Sequence, residues 1–158
     1  MSGVTQHLTD IHLQVLTYLA LLEETDLDEL SYVSELPDSD CEAELMDMAA
    51  AGTAKWGNGP DAWVVTDAGR AEHARGVTAE LEKVGARELV AQTHDVVTHW
   101  GDDQAAVAEA VVRLAARMRR FAGYGHRLEA AAEGRGPEEW DRVVALLKKD
   151  LATTLGLA

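Results

Sequence analysis

The sequence predicts a mainly α protein carrying one short β-hairpin. Three observations support this. Apolar residues recur at spacings of three and four through most of the chain, the period of a half-buried helix. Two short segments with aromatic and β-branched residues, 53–57 and 62–66, flank the turn-forming run Asn58-Gly59-Pro60-Asp61. The 158 residues suit one domain, or a small domain with an appended helical segment. With 47% apolar and 27% charged residues, the profile is that of a globular chain rather than a disordered one.

Leu8, Ile11, Val15, Leu19 and Leu22 form one stripe and predict a first helix over residues 11–22. Thr25 or Asp26 offers an N-cap for a second, with Leu27, Leu30 and Val33 inward and Pro37 ending it. Asp38 or Ser39 is the expected cap of a third helix, which carries Cys41, Leu45 and Met48 inward and closes at Gly52. The hairpin follows. A post-hairpin helix over 70–83 places Ala74, Val77, Leu81 and Val84 on one face.

The second half reads as helices throughout. Residues 88–100 form one, and Asp102 is the expected cap of a long helix reaching Phe121. Its Val107, Val111, Leu114, Met118 and Phe121 follow a near-heptad stripe. Gly123 and Gly125 are expected to break it before a short helix over 126–132. A loop at 134–137 leads to a last helix over 138–155, with Trp140, Val143, Val144, Leu147, Leu151 and Leu155 inward. The expected division is a first domain over 1–84 and a helical dimerisation or docking region over 85–158.

Helix, helix, helix, hairpin, helix is the order of a winged helix-turn-helix with a two-stranded wing. Trp63-Val64-Val65-Thr66-Asp67-Ala68-Gly69-Arg70 resembles the segment that closes the wing of MarR-like winged-helix proteins. In that family the Thr caps the next helix and the Gly permits close packing against the wing. Leu45 to Gly52 resembles the end of their third helix. The likeness covers roughly residues 8–75 and is more specific for fold than for activity. The tail is similar to helical regions of actinobacterial proteins that pair such a module with a phosphoenolpyruvate-utilising mobile domain. Residues 120–131, around Phe121-Ala122-Gly123-Tyr124, and Asp150-Leu151-Ala152-Thr153-Thr154-Leu155-Gly156 carry that likeness. The mobile domain and its phosphohistidine loop have no counterpart in this chain, so phosphotransfer does not carry over.

Charge complicates the DNA-binding role that the resemblance implies. The formal net charge is −14, and it is unevenly placed. Residues 1–54 hold twelve acids and no Lys or Arg, while residues 55–158 hold all fourteen bases and sixteen acids. A winged helix lays its third helix in the major groove, drawing affinity from cations beside phosphates. Here that helix offers Asp38, Asp40, Glu42, Glu44 and Asp47 and no cation. A carboxylate beside a phosphate repels it. These acids suit a solvated face, or a docking surface for a protein with a basic surface. Mimicry of DNA toward such a protein is a related option. Binding of DNA is disfavoured; the residues left to contact it are Lys55, Arg70 and Arg75.

Arg113, Arg117 and Arg120 share a helical face, with Arg119 beside them and Arg127 beyond the glycines. They form either a face that lies against the acidic first half or an acidic dimer partner, or an anion site for phosphate, a carboxylate ligand or nucleic acid. His7, His12, His73, His94, His99 and His126 lack the spacing of a metal site, and His73 is expected at the surface. Trp56 and Trp63 are expected to pack the wing on the body or to pair across it, and Trp100 and Trp140 to be core. Cys41 is the one cysteine, so no intramolecular disulfide forms; neighbouring carboxylates would slow it as a redox sensor.

No catalytic constellation and no cofactor motif is present, so the chain is not expected to be an enzyme. It lacks a basic n-region, and its apolar runs fall far short of the roughly 20 residues that span a bilayer, so a cytoplasmic protein without membrane contact is expected. The leading expectation is a non-catalytic winged-helix regulatory or protein-interaction module, acting as a homodimer. The alternatives are a MarR-like DNA-binding transcriptional regulator, or an accessory subunit of a phosphoenolpyruvate-utilising or related enzyme that binds an anionic ligand.

Overall fold

The computed structural model describes residues 2–59, 61–135 and 137–157, with side chains from Ile11 onward except Arg135. The fold is mainly helical, with a small three-stranded antiparallel sheet. The chain divides into two compact units, residues 1–76 and 77–158, and the boundary falls inside α4.

In the first unit, α1 (Ser2–Leu22) starts well before the expected residue 11. It buries Val15, Leu16, Tyr18, Leu19 and Leu21, with Ile11 and Leu22 half-buried, a broader face than the predicted stripe. Leu8 lies outside the described side chains. Strand β1 (Glu24–Asp26) follows, then α2 (Leu27–Ser34). Asp26 caps α2 by accepting from the Glu29 N–H at 2.8 Å, which satisfies a donor left open by the first turn. Leu30 and Val33 are buried as expected.

Helix α3 (Asp38–Ala51) is not capped by Asp38 or Ser39. Pro37 occupies the cap position, and its carbonyl accepts from the N–H groups of Asp40 and Cys41. Both candidate caps are thereby drawn into the first turn, where Pro37 has already set the entry of the chain. Cys41, Leu45 and Met48 face inward, and Gly52 closes the helix at φ 82°, a left-handed conformation that favours glycine.

Strands β2 (Ala54–Trp56) and β3 (Ala62–Val65) form the expected hairpin, with Pro60 of its turn outside the described residues. The sheet has a third strand that the two-stranded expectation lacked. β1 pairs with β3 through Glu24↔Val64, Thr25↔Trp63 and Asp26↔Ala62, in the order β1-β3-β2. Glu-Thr-Asp has no strand pattern of its own; pairing with β3 makes it a strand.

Helix α4 (Asp67–Val84) leaves β3 through Thr66. The Thr66 hydroxyl donates to the Gly52 carbonyl at 2.7 Å and accepts from the Gly69 N–H at 3.1 Å. A side chain at Gly69 would meet the Thr53 carbonyl and Val65 Cγ2, so the α4 entry packs tightly on the hairpin. Val77 and Leu81 are buried, but Ala74 is exposed and His73 is buried in its place, only 3% exposed. The inward face of α4 is rotated one residue at that turn. His73 is therefore a core residue and not the surface residue expected.

The second unit continues with α5 (Arg87–His99), α6 (Gln104–Arg117), a single 3-10 turn at Arg119–Phe121, α7 (Ala122–Ala130), a wider turn at Ala131–Arg135 and α8 (Pro137–Leu155). α5 packs on α6 and α8, and α7 packs on α6 and α8. Asp103, rather than Asp102, caps α6 by accepting from the Ala106 N–H at 3.1 Å. The predicted stripe is buried throughout at Val107, Val111, Leu114, Met118 and Phe121. It does not belong to one helix. The chain leaves α6 at Met118 (φ −129°, ψ 94°) and re-enters through the 3-10 turn. Gly123 and Gly125 lie inside α7 instead of breaking a helix.

Trp140 is buried, and its indole N–H donates to the Gly101 carbonyl at 2.9 Å. Trp100, expected in the core, is 60% exposed because α5 ends at His99 and carries the next residue off the apolar face. Among the described residues, no helix is long and apolar enough to cross a membrane.

Candidate functional site

In the first unit the acidic face of α3 follows from its burial pattern. Cys41, Leu45 and Met48 occupy the inner face at spacings of four and three, so the acids between them turn outward. Asp38, Glu42 and Asp47 are exposed and Asp40 is half-buried. Met46 stands among them with 55% of its surface exposed, an apolar side chain inside a charged field. No Lys or Arg lies anywhere on α3.

Glu44 departs from the group. It turns toward α1, where its Oε2 lies 3.0 Å from His12 Nδ1, while His12 Nε2 lies 2.8 Å from Glu72 Oε1 on α4. A carboxylate at each ring nitrogen requires a donor at both, which only the imidazolium supplies. Burial pulls the His12 pKa down, but the hydrogen bonds and charges of Glu72 and Glu44 outweigh it and hold the pKa above its ordinary value. His12 thus ties α3 and α4 to α1. Neither the residue spacing nor the composition signalled this bridge, whose partners are 32 and 60 residues away in sequence.

Lys55 is exposed on β2, and Arg70 and Arg75 are exposed on α4. Arg70 lies 3.5 Å from Asp67. Trp56 and Trp63 pair across β2 and β3 with ring centroids 4.0 Å apart; Trp63 is buried while Trp56 is 61% exposed. Cys41 is buried, with its sulfur 3.5 Å from the Ser34 hydroxyl. Burial pushes its thiol pKa up, and the charges of Asp38 and Asp40 add to that, against the Ser34 contact.

In the second unit the four candidate anion-site arginines differ in burial and in their neighbours. Arg113 is exposed and pairs with Glu109 at 2.8 Å. Arg117 donates to the Val84 carbonyl at 2.8 Å. Arg127 is buried, with its guanidinium 4.9 Å from the Tyr124 ring centre. Arg120 is buried and internally engaged. Its Nη1 lies 2.7 and 2.8 Å from the two Asp150 carboxylate oxygens, Nε donates to Glu80 at 3.0 Å, and Nη2 donates to the Thr154 hydroxyl at 3.1 Å. Tyr124 donates its hydroxyl to Asp150 at 2.6 Å. Burial lowers the Arg120 pKa, but Asp150 and Glu80 more than offset this, so it remains charged. Arg120 is thus held internally, but by Glu80 and Asp150 of the second unit and not by the acidic first half. Its partners had one visible signal, an acid and a threonine on the apolar stripe of α8 at Leu147, Asp150, Leu151 and Thr154.

His94 is half-buried and His126 exposed, His99 lies 3.1 Å from Asp95, and the His7 side chain is outside the described residues. Among the described residues, no group of three or more His, Cys, Asp or Glu side chains is arranged to hold a metal ion. No protein-family model, curated protein or solved structure matches the chain.

Proposed function

We propose that α1–α3, the three-stranded sheet and the start of α4 act as a winged helix-turn-helix of the MarR-like kind, used to bind a protein with a basic surface. On this reading α2 and α3 form the helix-turn-helix and the β2–β3 hairpin is the wing. The cap made by Thr66 and the close approach at Gly69 support the likeness.

The outward face of α3 carries the reading. Asp38, Glu42 and Asp47 point to solvent where phosphate-binding cations would be needed, and Met46 offers an apolar anchor among them. Such a face repels a duplex and steers a cationic protein surface toward it. Aromatic and apolar anchors inside a charged rim are what protein interfaces use.

Two measurements test this. A fluorescent duplex pool at about 0.15 M salt is expected to show no binding. Affinity capture from source cells, run with the wild type and with Glu42→Lys/Asp47→Lys, is expected to retain a basic protein only with the wild type and to release it at high salt. Tight, sequence-selective binding of the wild type to DNA, lost on replacing Lys55 and Arg70 with Ala, would overturn the proposal in favour of a DNA-binding regulator.

A further inference from the structure

The second unit contains a groove that none of the features above uses. It lies between α6, α7, the turn at Ala131–Arg135 and α8, and its volume is about 500 Å³. That is within the roughly 300–1,000 Å³ of small-molecule sites. Its walls are mostly carbon. Val111, Val112, Leu128 and Trp140 contribute the large side chains, and alanines of α6 and α7 keep it open. Val112 is 67% exposed at the mouth, beside the lining alanines Ala108 and Ala115. Gly125 lines the groove as well; a methyl there would touch Val111 Cγ1 at 3.6 Å, so the α6–α7 packing sets the depth.

Among the described residues, the charge at the groove is of one sign. Glu129 and Glu133, one helical turn apart, are both exposed and both line it. Neither forms an ion pair among the described residues. Gln104 and His126 are the other polar lining residues, and among the described residues no Lys or Arg lines it. An apolar wall with two carboxylates beside it selects a particular ligand chemistry. A neutral apolar molecule would leave the carboxylates without benefit, and an organic anion would be repelled. A small inorganic cation would gain nothing from the walls and would keep its water. An organic cation with delocalised or shielded charge loses little hydration on entry and gains from both features.

We propose that this groove binds a lipophilic organic cation, its apolar body against Val111, Val112, Leu128 and Trp140 and its positive centre beside Glu129 and Glu133. The occupant is a small molecule and not a second copy of this chain, because two copies facing each other across the groove would bring four unpaired carboxylates together.

Tetraphenylphosphonium and tetraphenylborate have the same shape and opposite charge, so they separate apolar fit from charge. Titration calorimetry at about pH 8 and about 0.15 M salt is expected to show one phosphonium ion bound per chain, at least tenfold tighter than the borate. Glu129→Gln/Glu133→Gln is expected to remove most of that preference. Val112→Arg, at an exposed position that the fold tolerates, is expected to weaken phosphonium binding about tenfold with an unchanged circular dichroism spectrum. Absence of phosphonium binding, equal affinity for both ions, or binding unaltered in both variants would overturn the proposal, the last by showing capture by acids elsewhere. A wild-type dimer in light scattering that Val112→Arg splits would also overturn it, by assigning the groove to a second copy.

Discussion

Arg120 and Asp150 form a fully buried ion pair across 30 residues of sequence, with one guanidinium nitrogen 2.7 and 2.8 Å from the two carboxylate oxygens. Glu80, Thr154 and Tyr124 supply further hydrogen bonds to the pair. Such a pair contributes little over an apolar isostere, but breaking it strands a charge in the interior. Asp150→Ala is expected to destabilise the second unit by about 3–5 kcal/mol in urea denaturation. Arg120→Met/Asp150→Leu is expected to recover part of that loss, since neither charge is then left unpaired. A double variant as unstable as Asp150→Ala would show that the network does more than satisfy its own charges.

The His12 bridge makes the first unit pH-dependent. Its folded-state pKa is raised above the unfolded value of about 6.5, so its stabilisation is fully present below that value. It is lost as pH rises through the raised folded pKa. The bridge also needs Glu44 and Glu72 ionised. Wild type and His12→Gln are expected to differ by about 1 kcal/mol near pH 6, with the gap closing as pH rises through the folded pKa. Urea midpoints measured across this range check the prediction, and a gap that widens toward alkaline pH would contradict it.

At Gly69 a methyl group would meet the Thr53 carbonyl and come within 2.7 Å of Val65 Cγ2. Backbone cannot yield as a side-chain tip does, so Gly69→Ala is expected to cost about 1–3 kcal/mol despite the helix-favouring change. At Gly52, open space surrounds the missing side chain and only the positive φ resists substitution. Gly52→Asn is therefore expected to cost less than Gly69→Ala, measured by the shift in thermal midpoint.

Cys41 is buried with its thiol pKa raised. An aromatic disulfide reagent is expected to label the native protein at least about 100-fold more slowly than the urea-unfolded chain, because labelling must wait for local opening. Rapid labelling of the native protein would show that α3 opens readily.

Trp56 and Trp63 stack across the hairpin with ring centroids 4.0 Å apart. Trp56 rests on Trp63 with its outer face in solvent. Trp56→Ala is expected to destabilise the first unit by about 0.5–1.5 kcal/mol and to change the near-ultraviolet circular dichroism.

Local signals made much of this fold legible. The helical stripes of α3, α6 and α8 and the hairpin around 58–61 depend on period and turn chemistry, which act within a few residues. Local signals failed where a neighbour decided the outcome. Glu24–Asp26 becomes a strand only because β3 lies alongside, and the stripe from Val107 to Phe121 spans α6, a break at Met118 and a 3-10 turn that periodicity cannot distinguish from one helix. Trp100 and His73 exchanged their expected places because helix ends and helix rotation are set by packing. Of the charged clusters, composition located both, but which members stay free depended on distant partners. Glu44 is withdrawn by His12 and Arg120 by Asp150.

The sequence by itself determined the mainly helical class, the hairpin and the concentration of carboxylates on α3, because these depend on residue type and spacing. Tertiary structure alone decided which of those charges face solvent, that a third strand joins the sheet, and that a groove bordered by Glu129 and Glu133 opens beside α6. Each of these needs groups far apart in sequence to meet, and the free energy of such meetings depends on burial and distance rather than on local pattern.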